Sequence, residues 1–215
     1  IIVKTNPIVY VSRGGLKLEK AIESFDLNLT DAIAMDIGAS TGGFTDCMLK
    51  NSAKKVFAVD VGYGQLDWKL RNDPRVIVME RTNIRNVTKE NIGEKIDFIS
   101  IDVSFISLTL VLPVAKDLLT EKGEIVALVK PQFEAGKDKV GKKGIIKDRK
   151  IHFEVVKKIV EFSKEIGLIA NSLTYSPITG ATGNIEFLIY LKNDGNCIND
   201  DFILKTIEDA HNTLK

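Results

Sequence analysis

Short, uninterrupted apolar runs recur along this sequence, and they constrain its fold more than any other feature. Five of them carry few polar residues and cover positions 32–36, 56–60, 76–79, 98–102 and 125–129. Continuous runs of this kind are typical of strands that are covered on both faces. Helix-like segments precede or separate them, at positions 15–25, 44–51, 65–71, 108–120 and 149–166. This alternation predicts βαβ units and a parallel sheet.

The C-terminal part of the sequence departs from the alternation. Two strand-like runs, 168–175 and 186–191, are joined by the turn-rich sequence SPITGATGN, which leaves no room for a helix. We therefore expect an antiparallel hairpin there and a terminal helix over residues 200–214. The predicted fold is α/β, with a seven-stranded sheet whose last strand is antiparallel.

The charge of the chain is unevenly distributed. Lys and Arg number 30 against 29 Asp and Glu, a formal net charge of +1 that gives no overall sign of a polyanionic partner. Residues 130–150, however, hold eight basic and three acidic side chains, or +5, which leaves about −4 for the rest. This basic segment is either a solvated loop or a surface that binds phosphates. Its candidate phosphate-binding residues are Lys139, Lys142 and Lys143.

The sequence predicts no metal site and no membrane span. The two cysteines and two histidines match no metal-ligand spacing and lie at Cys47, Cys197, His152 and His211. The absence of a disulfide framework fits a reducing compartment. The most apolar stretch, 98–115, is interrupted by Asp102 and is too short to cross a bilayer. We expect a cytoplasmic protein, and a chain trimmed upstream because it begins at Ile1 without Met.

A glycine-rich turn follows the first apolar run. The sequence DIGASTGGFTD, residues 36–46, places Gly38, Gly42 and Gly43 between a strand and a helix, and ligands of open α/β sheets bind at such turns. The spacing differs from the G-x-G-x-x-G of dinucleotide sites. Asp36 at its start would repel a pyrophosphate and favour a cationic ligand. An ordinary turn without a ligand is the alternative.

Polar residues also follow the next two runs. Asp60 ends the second run, 18 residues beyond Gly42, where a carboxylate can accept both hydroxyls of a ribose. Asn83 follows the third run and either meets an adenine edge or forms a turn. Both residues favour an adenosine-type ligand. We favour S-adenosylmethionine, which has a sulfonium and no phosphate, and keep NAD as the alternative.

Charged residues end the fourth and fifth runs, at Asp102 and Lys130. Such charges are costly at the ends of apolar strands unless they are solvated, paired or functional, and in a doubly wound sheet both face the crevice that contains Gly38. Glu186 opens the last strand. Lys17 lies in the helical segment SRGGLKL, and spacing alone does not place it near the crevice. The alternative is that Asp102 and Lys130 have no function and simply face solvent at the ends of their strands.

Six ordered segments of the chain resemble one known family. SRGGLKL, DIGASTGGFTD, AVDVGYGQLDWKLR, DVSFIS, LVKPQFE and TGNIEFL are similar to those of the TlyA (haemolysin A) family of FtsJ/RrmJ-like, S-adenosylmethionine-dependent rRNA 2′-O-methyltransferases. The resemblance implies a class I, Rossmann-like methyltransferase domain over residues 13–195, a C-terminal helix over 196–215, and a linker remnant over 1–12 from an upstream S4-like RNA-binding domain.

The resemblance also implies roles for individual residues. The family's catalytic tetrad falls on Lys17, Asp102, Lys130 and Glu186. The cofactor-binding positions fall on Asp36, Gly38, Ser40, Gly42, Gly43, Phe44, Asp60, Asn83 and Asp102. Arg13 and Lys17 join the basic segment as candidate RNA-binding residues. The implied partner is ribosomal RNA or a ribosomal subunit.

The chemistry implied is transfer of a methyl group to the ribose 2′-hydroxyl of a cytidine in small- or large-subunit RNA. Lys130 is our choice of base; a lysine serves only in its neutral form, which partial burial and the ammonium of Lys17 favour. Asp102 and Glu186 would stabilise the charged ammonium form, so the role we expect of them is to orient the two lysines and the hydroxyl. A pore-forming haemolysin and an NAD-dependent oxidoreductase are the alternatives.

The cysteines and two aromatic residues bear on the chemistry as well. A thiolate nucleophile is not expected, because Cys47 falls in a helix as a small core residue and Cys197 in a polar tail. Tyr63 and Trp68 flank the second turn and can stack on a base. Ordinary packing of Trp68 is the alternative.

Overall fold

The structure is a computed structural model that describes residues 9–141 and 144–214. Its strands are β1 (Ile33–Ile37), β2 (Lys55–Val59), β3 (Val76–Met79), β4 (Ile96–Ile101), β5 (Leu119–Val129), β6 (Ile169–Tyr175) and β7 (Phe187–Lys192). Its α-helices are α1 (Gly14–Phe25), α2 (Gly43–Lys50), α3 (Trp68–Arg71), α4 (Lys89–Ile92), α5 (Leu112–Leu118), α6 (Pro131–Glu134), α7 (Arg149–Glu165) and α8 (Asp200–Thr213). Short 3₁₀ helices span Ile84–Asn86, Leu108–Leu110 and Lys137–Lys139.

The seven strands form one sheet in the order β3-β2-β1-β4-β5-β7-β6. Strands β1 to β5 are mutually parallel, and β7 runs antiparallel to both β5 and β6. The predicted fold class, the strand number, the hairpin and the antiparallel last strand are therefore confirmed. Because β7 inserts between β5 and β6, strand β6 forms one edge of the sheet.

Both faces of the sheet are covered, which explains the continuous apolar runs. On one face, buried residues such as Met35 and Ile99 pack with the apolar sides of α5, α7 and α8. On the other face, residues such as Ala34 and Phe98 pack with α1 and α2. Alternate residues of a strand point to opposite faces, so each central strand needs apolar residues at nearly every position.

Element boundaries differ most from the sequence expectations at α3 and around α5 and β5, and β7 begins just after Glu186. The helix expected over 108–120 is a 3₁₀ helix followed by α5, and the chain is already in β5 at Leu119; Pro113, in the first turn of α5, favours a helix start there. The helix expected over 65–71 begins only at Trp68. Asp67 caps it, since its carboxylate accepts the backbone N–H of Lys69 at 2.8 Å.

The C-terminal helix belongs to the same packed unit as the sheet. Ile203, Ile207 and Ala210 of α8 are buried in the core on the face that includes α7. In the described part of the chain, no helix combines the length and the apolar character that crossing a bilayer would require.

Candidate active site

The site lies where the strand order reverses. The chain runs from β1 outward through β2 to β3 and then returns to β4 on the other side of β1, and ligands of open α/β sheets bind beyond the strand carboxyl ends at this switch point. Two cavities, of about 280 and 470 Å³, open there. They share the lining residues Gly38, Ser40 and Asp102.

All the predicted cofactor residues except Gly42 line these cavities. Asp36, Gly43 and Phe44 line the smaller one, and Asp60 and Asn83 line the larger one. The shared wall contains the remaining three: Gly38, Ser40 and Asp102. The positions implied by the sequence motifs and the family resemblance thus surround two adjoining cavities, and their contact with a cofactor stays a prediction.

The larger cavity is organised around Asp60. Its two carboxylate oxygens accept the backbone N–H groups of Ser40 and Gly62, each at 2.7 Å. The side-chain oxygen of Asn83 accepts the backbone N–H of Arg85 at 3.1 Å and begins a 3₁₀ helix. Asn83 therefore forms a turn and also lines the cavity, and its contact with an adenine stays a prediction.

The glycines of the turn are required by protein packing. Gly38 has φ +88°, and a Cβ there would lie 2.3 Å from the carbonyl oxygen of Asp102. A Cβ at Gly43 would lie 2.4 Å from Ser12 Oγ, and one at Gly42 would lie 2.2 Å from Leu70 Cδ1. A Cβ at Gly42 would therefore point at α3, and Gly42 is not among the lining residues of either cavity, so its predicted place at the ligand stays a prediction.

Asp36 is a fully buried carboxylate on the wall of the smaller cavity. It accepts the backbone N–H and the hydroxyl of Thr45, at 2.9 and 2.7 Å, and the hydroxyl of Ser100 at 3.3 Å. Burial raises the pKa of Asp36 to about 7, and the nearby Asp102 raises it further, while the hydrogen bonds of Thr45 lower it. A cation in this cavity would relieve the cost of the buried charge.

The four tetrad residues form two ion pairs. Lys17 Nζ lies 2.6 Å from Glu186 Oε2, and Lys130 Nζ lies 2.6 Å from Asp102 Oδ1. All four are mostly buried. Lys17 and Asp102 line the smaller cavity, so each pair has one member on the cavity wall. The fold thereby brings Lys17 to the crevice, which sequence spacing could not do.

The N-terminal end of α1 carries Lys17 to this position because it packs closely on the start of α2. The absence of a side chain at Gly43 leaves room for Ser12 and for the backbone of Gly15. Gly15 in turn packs on the Tyr10 ring, where a Cβ would come within 2.3 Å.

The turn before β7 holds Glu186 and includes a residue that sequence reasoning missed. A Cβ at Gly180 would lie 2.6 Å from Glu186 Oε1, so this glycine leaves space for the carboxylate. Asn184 is fully buried; its oxygen accepts the backbone N–H of Ile146 at 2.9 Å and its amide donates to the carbonyl of Gly144 at 2.8 Å. Asn184 therefore ties the basic segment to the turn that carries Glu186.

Of the predicted RNA-binding residues, Arg13 and Lys17 line the smaller cavity. Arg13 is exposed at the smaller cavity beside Lys17. Lys139 forms an exposed ion pair with Glu154 of α7. Lys142 and Lys143 lie outside the described residues.

Three exposed aromatic side chains lie in the segments that follow β2 and β4, and one of them, Phe105, lines the larger cavity. The packing interpretation of Trp68 is wrong, because Trp68 is 74% exposed, and Tyr63 is also exposed with the Arg81 guanidinium 4.1 Å from its ring centroid. Sequence reasoning did not single out Phe105, which is 89% exposed, has φ +62° and contacts Phe133 at a centroid distance of 4.9 Å.

The cysteines match their non-catalytic interpretation: Cys47 is buried and Cys197 is exposed. Among the described residues, no three His, Cys, Asp or Glu side chains are grouped so as to hold a metal ion.

Comparisons with known proteins agree on the type of domain. The family model of the FtsJ-like methyltransferases matches residues 10–193. A Bacillus subtilis protein named "Putative rRNA methyltransferase YqxC" is 54% identical, over 99% of this chain and 78% of its own. The 16S/23S rRNA (cytidine-2′-O)-methyltransferase TlyA of Mycobacterium tuberculosis is 45% identical, over 85% of this chain and 68% of its own.

Solved structures show the same relationship. A "Putative hemolysin from Streptococcus thermophilus" has a TM-score of 0.93 and 47% identity, and the match covers 98% of this chain and 77% of that one. Aeropyrum pernix fibrillarin, solved with natively bound S-adenosyl-L-methionine, shares the fold at a TM-score of 0.58 and 15% identity, over 82% and 72% of the two chains. These findings favour the methyltransferase over both alternatives from the sequence, and the chain belongs to the FtsJ-like methyltransferase family.

Proposed function

We propose that this protein transfers a methyl group from S-adenosylmethionine to the ribose 2′-hydroxyl of a cytidine in ribosomal RNA of the small subunit, the large subunit or both. The observation that carries the proposal is the position of Asp102, which lines both cavities and pairs with Lys130. Cofactor and substrate would therefore meet at this ion pair. The names of the TlyA relatives support cytidine in 16S and 23S rRNA as the substrate, which would be met in the cytoplasm.

The cavities fit S-adenosylmethionine. Asp60 and Asn83 present polar atoms in the larger cavity, as a ribose and an adenine require. Asp36 places a buried carboxylate in the smaller cavity, where a cationic group would be favoured. When bound, the cofactor supplies an electrophilic methyl group on a positively charged sulfur.

The two ion pairs would orient the attacking hydroxyl. Methyl transfer requires the hydroxyl oxygen to be in line with the methyl group and its proton to be removed. Lys130 Nζ also lies 3.0 Å from Ser104 Oγ. Asp102 and Ser104 therefore hold the amine of Lys130 in position, and we propose that this amine is the base. Lys17, held by Glu186, would contact the substrate ribose or its neighbouring phosphate.

The basic residues would hold the RNA strand. Arg13 and Lys17 lie at the smaller cavity, and the chain enters the basic segment directly from Lys130 at the end of β5. Lys139, Lys142 and Lys143 of that segment are proposed as phosphate contacts, which would make binding dependent on salt.

Replacing Lys130 by Ala tests the function. We expect loss of 2′-O-methylation of ribosomal subunits, measured by transfer of a labelled methyl group and mapping of the modified ribose, with calorimetric binding of S-adenosylmethionine retained. Lys55→Ala is the matched control, because Lys55 also forms a 2.6 Å ion pair, with Glu94, but at the amino end of β2. Wild-type turnover in Lys130→Ala would reject the base assignment, and a wild-type product methylated on a base would reject the substrate atom.

A further inference from the structure

The turns that follow β4 and β5 carry Asp102 and Lys130, and three successive contacts join them. The first is the Lys130–Asp102 ion pair, with Ser104 as an additional partner of Lys130. Farther along both turns, Phe105 contacts Phe133 at a centroid distance of 4.9 Å. The third contact is made by Glu134, a residue of the LVKPQFE segment with no role in the tetrad.

Glu134 is a buried carboxylate whose two oxygens both bind the opposite turn. Oε2 accepts the hydroxyl of Ser107 at 2.6 Å, and Oε1 accepts the backbone N–H of Leu108 at 2.7 Å. The Glu134 side chain is 2% exposed. Lys158 of α7 supplies a positive charge 3.7 Å from Oε2 and also donates to the Glu134 carbonyl at 3.2 Å.

A single helical turn connects Glu134 to Lys130. Lys130 precedes α6, its carbonyl accepts the N–H of Phe133 at 2.9 Å, and Pro131 fixes the first residue of the helix. The opposite turn has no regular structure between Asp102 and the 3₁₀ helix at Leu108. Glu134 therefore holds an irregular segment in a fixed place relative to the residue that bears the reacting amine.

We propose that Glu134 is a positioning residue that sets the distance between Lys130 and Asp102 by joining the two turns behind them. This inference rests on the proposed function, in which Lys130 removes the proton of the 2′-hydroxyl. A shift of about 1 Å in a reacting group can cost on the order of 100-fold in rate. A carboxylate suits the task because it accepts from an N–H and an O–H donor at once.

The test compares Glu134→Ala with Glu134→Gln in methyl transfer to ribosomal subunits. We expect Glu134→Ala to lower kcat about 10- to 100-fold, with KM for the RNA and calorimetric binding of S-adenosylmethionine within about twofold. Glu134→Gln keeps an acceptor for the Leu108 N–H and should restore kcat to within a few-fold of wild type.

Two further variants separate positioning from general stability. Glu124→Ala is the matched control: Glu124 is likewise a carboxylate that accepts a hydrogen bond, from Tyr190, but it lies in the middle of β5, away from the turn that follows the strand, so its loss should lower the melting temperature without changing kcat. The second variant is Lys130→Ala, which should abolish methyl transfer, whereas Glu134→Ala should only slow it, as expected of a residue that acts through Lys130.

The outcomes keep the two proposals apart. An active wild type together with an unchanged kcat in folded Glu134→Ala would overturn the positioning role and leave the proposed function intact. A wild type that forms no 2′-O-methyl ribose would overturn the function itself. If Glu134→Ala does not fold, Ser107→Ala removes one of the two hydrogen bonds. We expect about a threefold lower kcat with KM for the RNA unchanged, and a wild-type kcat would overturn the role.

Discussion

Replacing Asp36 by Asn is expected to change the pH dependence of stability. Burial raises the pKa of Asp36 from 3.8 to about 7, because a charged carboxylate is poorly solvated there. The unfolded chain releases this proton near pH 4, and the folded chain releases it only near pH 7. The stability that the neutral carboxyl provides is therefore complete below about pH 4 and is lost as the pH rises through about 7.

The magnitude follows from the size of the shift. At ~1.4 kcal/mol per pKa unit, a shift of about three units corresponds to roughly 4 kcal/mol of unfolding free energy, as an upper limit. Asn has nearly the same shape and cannot ionise, and its oxygen can still accept from Thr45. The free energy of unfolding of Asp36→Asn minus that of wild type should thus increase by up to this amount between pH 4 and pH 8.

Urea unfolding in small pH steps, without cofactor, measures the free energy of unfolding of both proteins. Their difference removes the contributions of the ionisable groups that both proteins share. Thr45→Val provides an internal control. The Thr45 hydroxyl donates to Asp36 at 2.7 Å and favours the charged form, so its removal should move the decline in stability to higher pH. A difference between Asp36→Asn and wild type that stays flat from pH 4 to pH 8 would refute the reasoning.

Three further expectations concern the turns and the basic segment. Gly38→Ala should abolish cofactor binding, measured by calorimetry, because the new Cβ would lie 2.3 Å from the carbonyl oxygen of Asp102. Gly136→Ala is the control: Gly136 has a similar φ of +85° but nothing within 4 Å of a Cβ, so the change should lower the free energy of unfolding by only about 1 kcal/mol. Gly180→Ala should lower kcat by displacing the Glu186 carboxylate, which would be 2.6 Å from the new Cβ; unchanged kcat would contradict this. Replacing Lys139, Lys142 and Lys143 by neutral residues should weaken RNA binding. The slope of log binding constant against log salt concentration should become shallower by up to about 0.7 for each phosphate contact that is lost. An unchanged slope would favour the solvated loop.

The sequence predicted the fold and the crevice well because both depend on local patterns. Continuous apolar runs indicate strands that are covered on both faces, and polar residues at their ends must meet at one edge of a parallel sheet. Asp60, Asp102 and Lys130 could be found in this way. The start of β5 could not, because Leu118 and Leu119 suit a helix as well as a strand and tertiary packing decides between them.

Residues that act across the fold left no local signal. The partner of Lys17, Glu186, is 169 positions away, and only the resemblance to a family linked them. Asn184 has a role because its amide meets the backbone at Gly144 and Ile146, and no spacing rule connects those positions. The exposure of Trp68 was equally unpredictable, since burial depends on which neighbours the fold brings.

Because β7 inserts between β5 and β6, the active site cannot form until the chain has been synthesised beyond β7. The chain must emerge beyond Lys192 before β5 acquires its second neighbour, so a nascent or truncated chain presents the unpaired backbone of a central strand, a template for association with other chains. Until then the ammonium of Lys17 also lacks Glu186. Contacts of such high sequence separation form late and slowly. The methyltransferase centre is therefore assembled by the last strand of the sheet, and truncation within that strand should produce aggregation in place of a weakened enzyme.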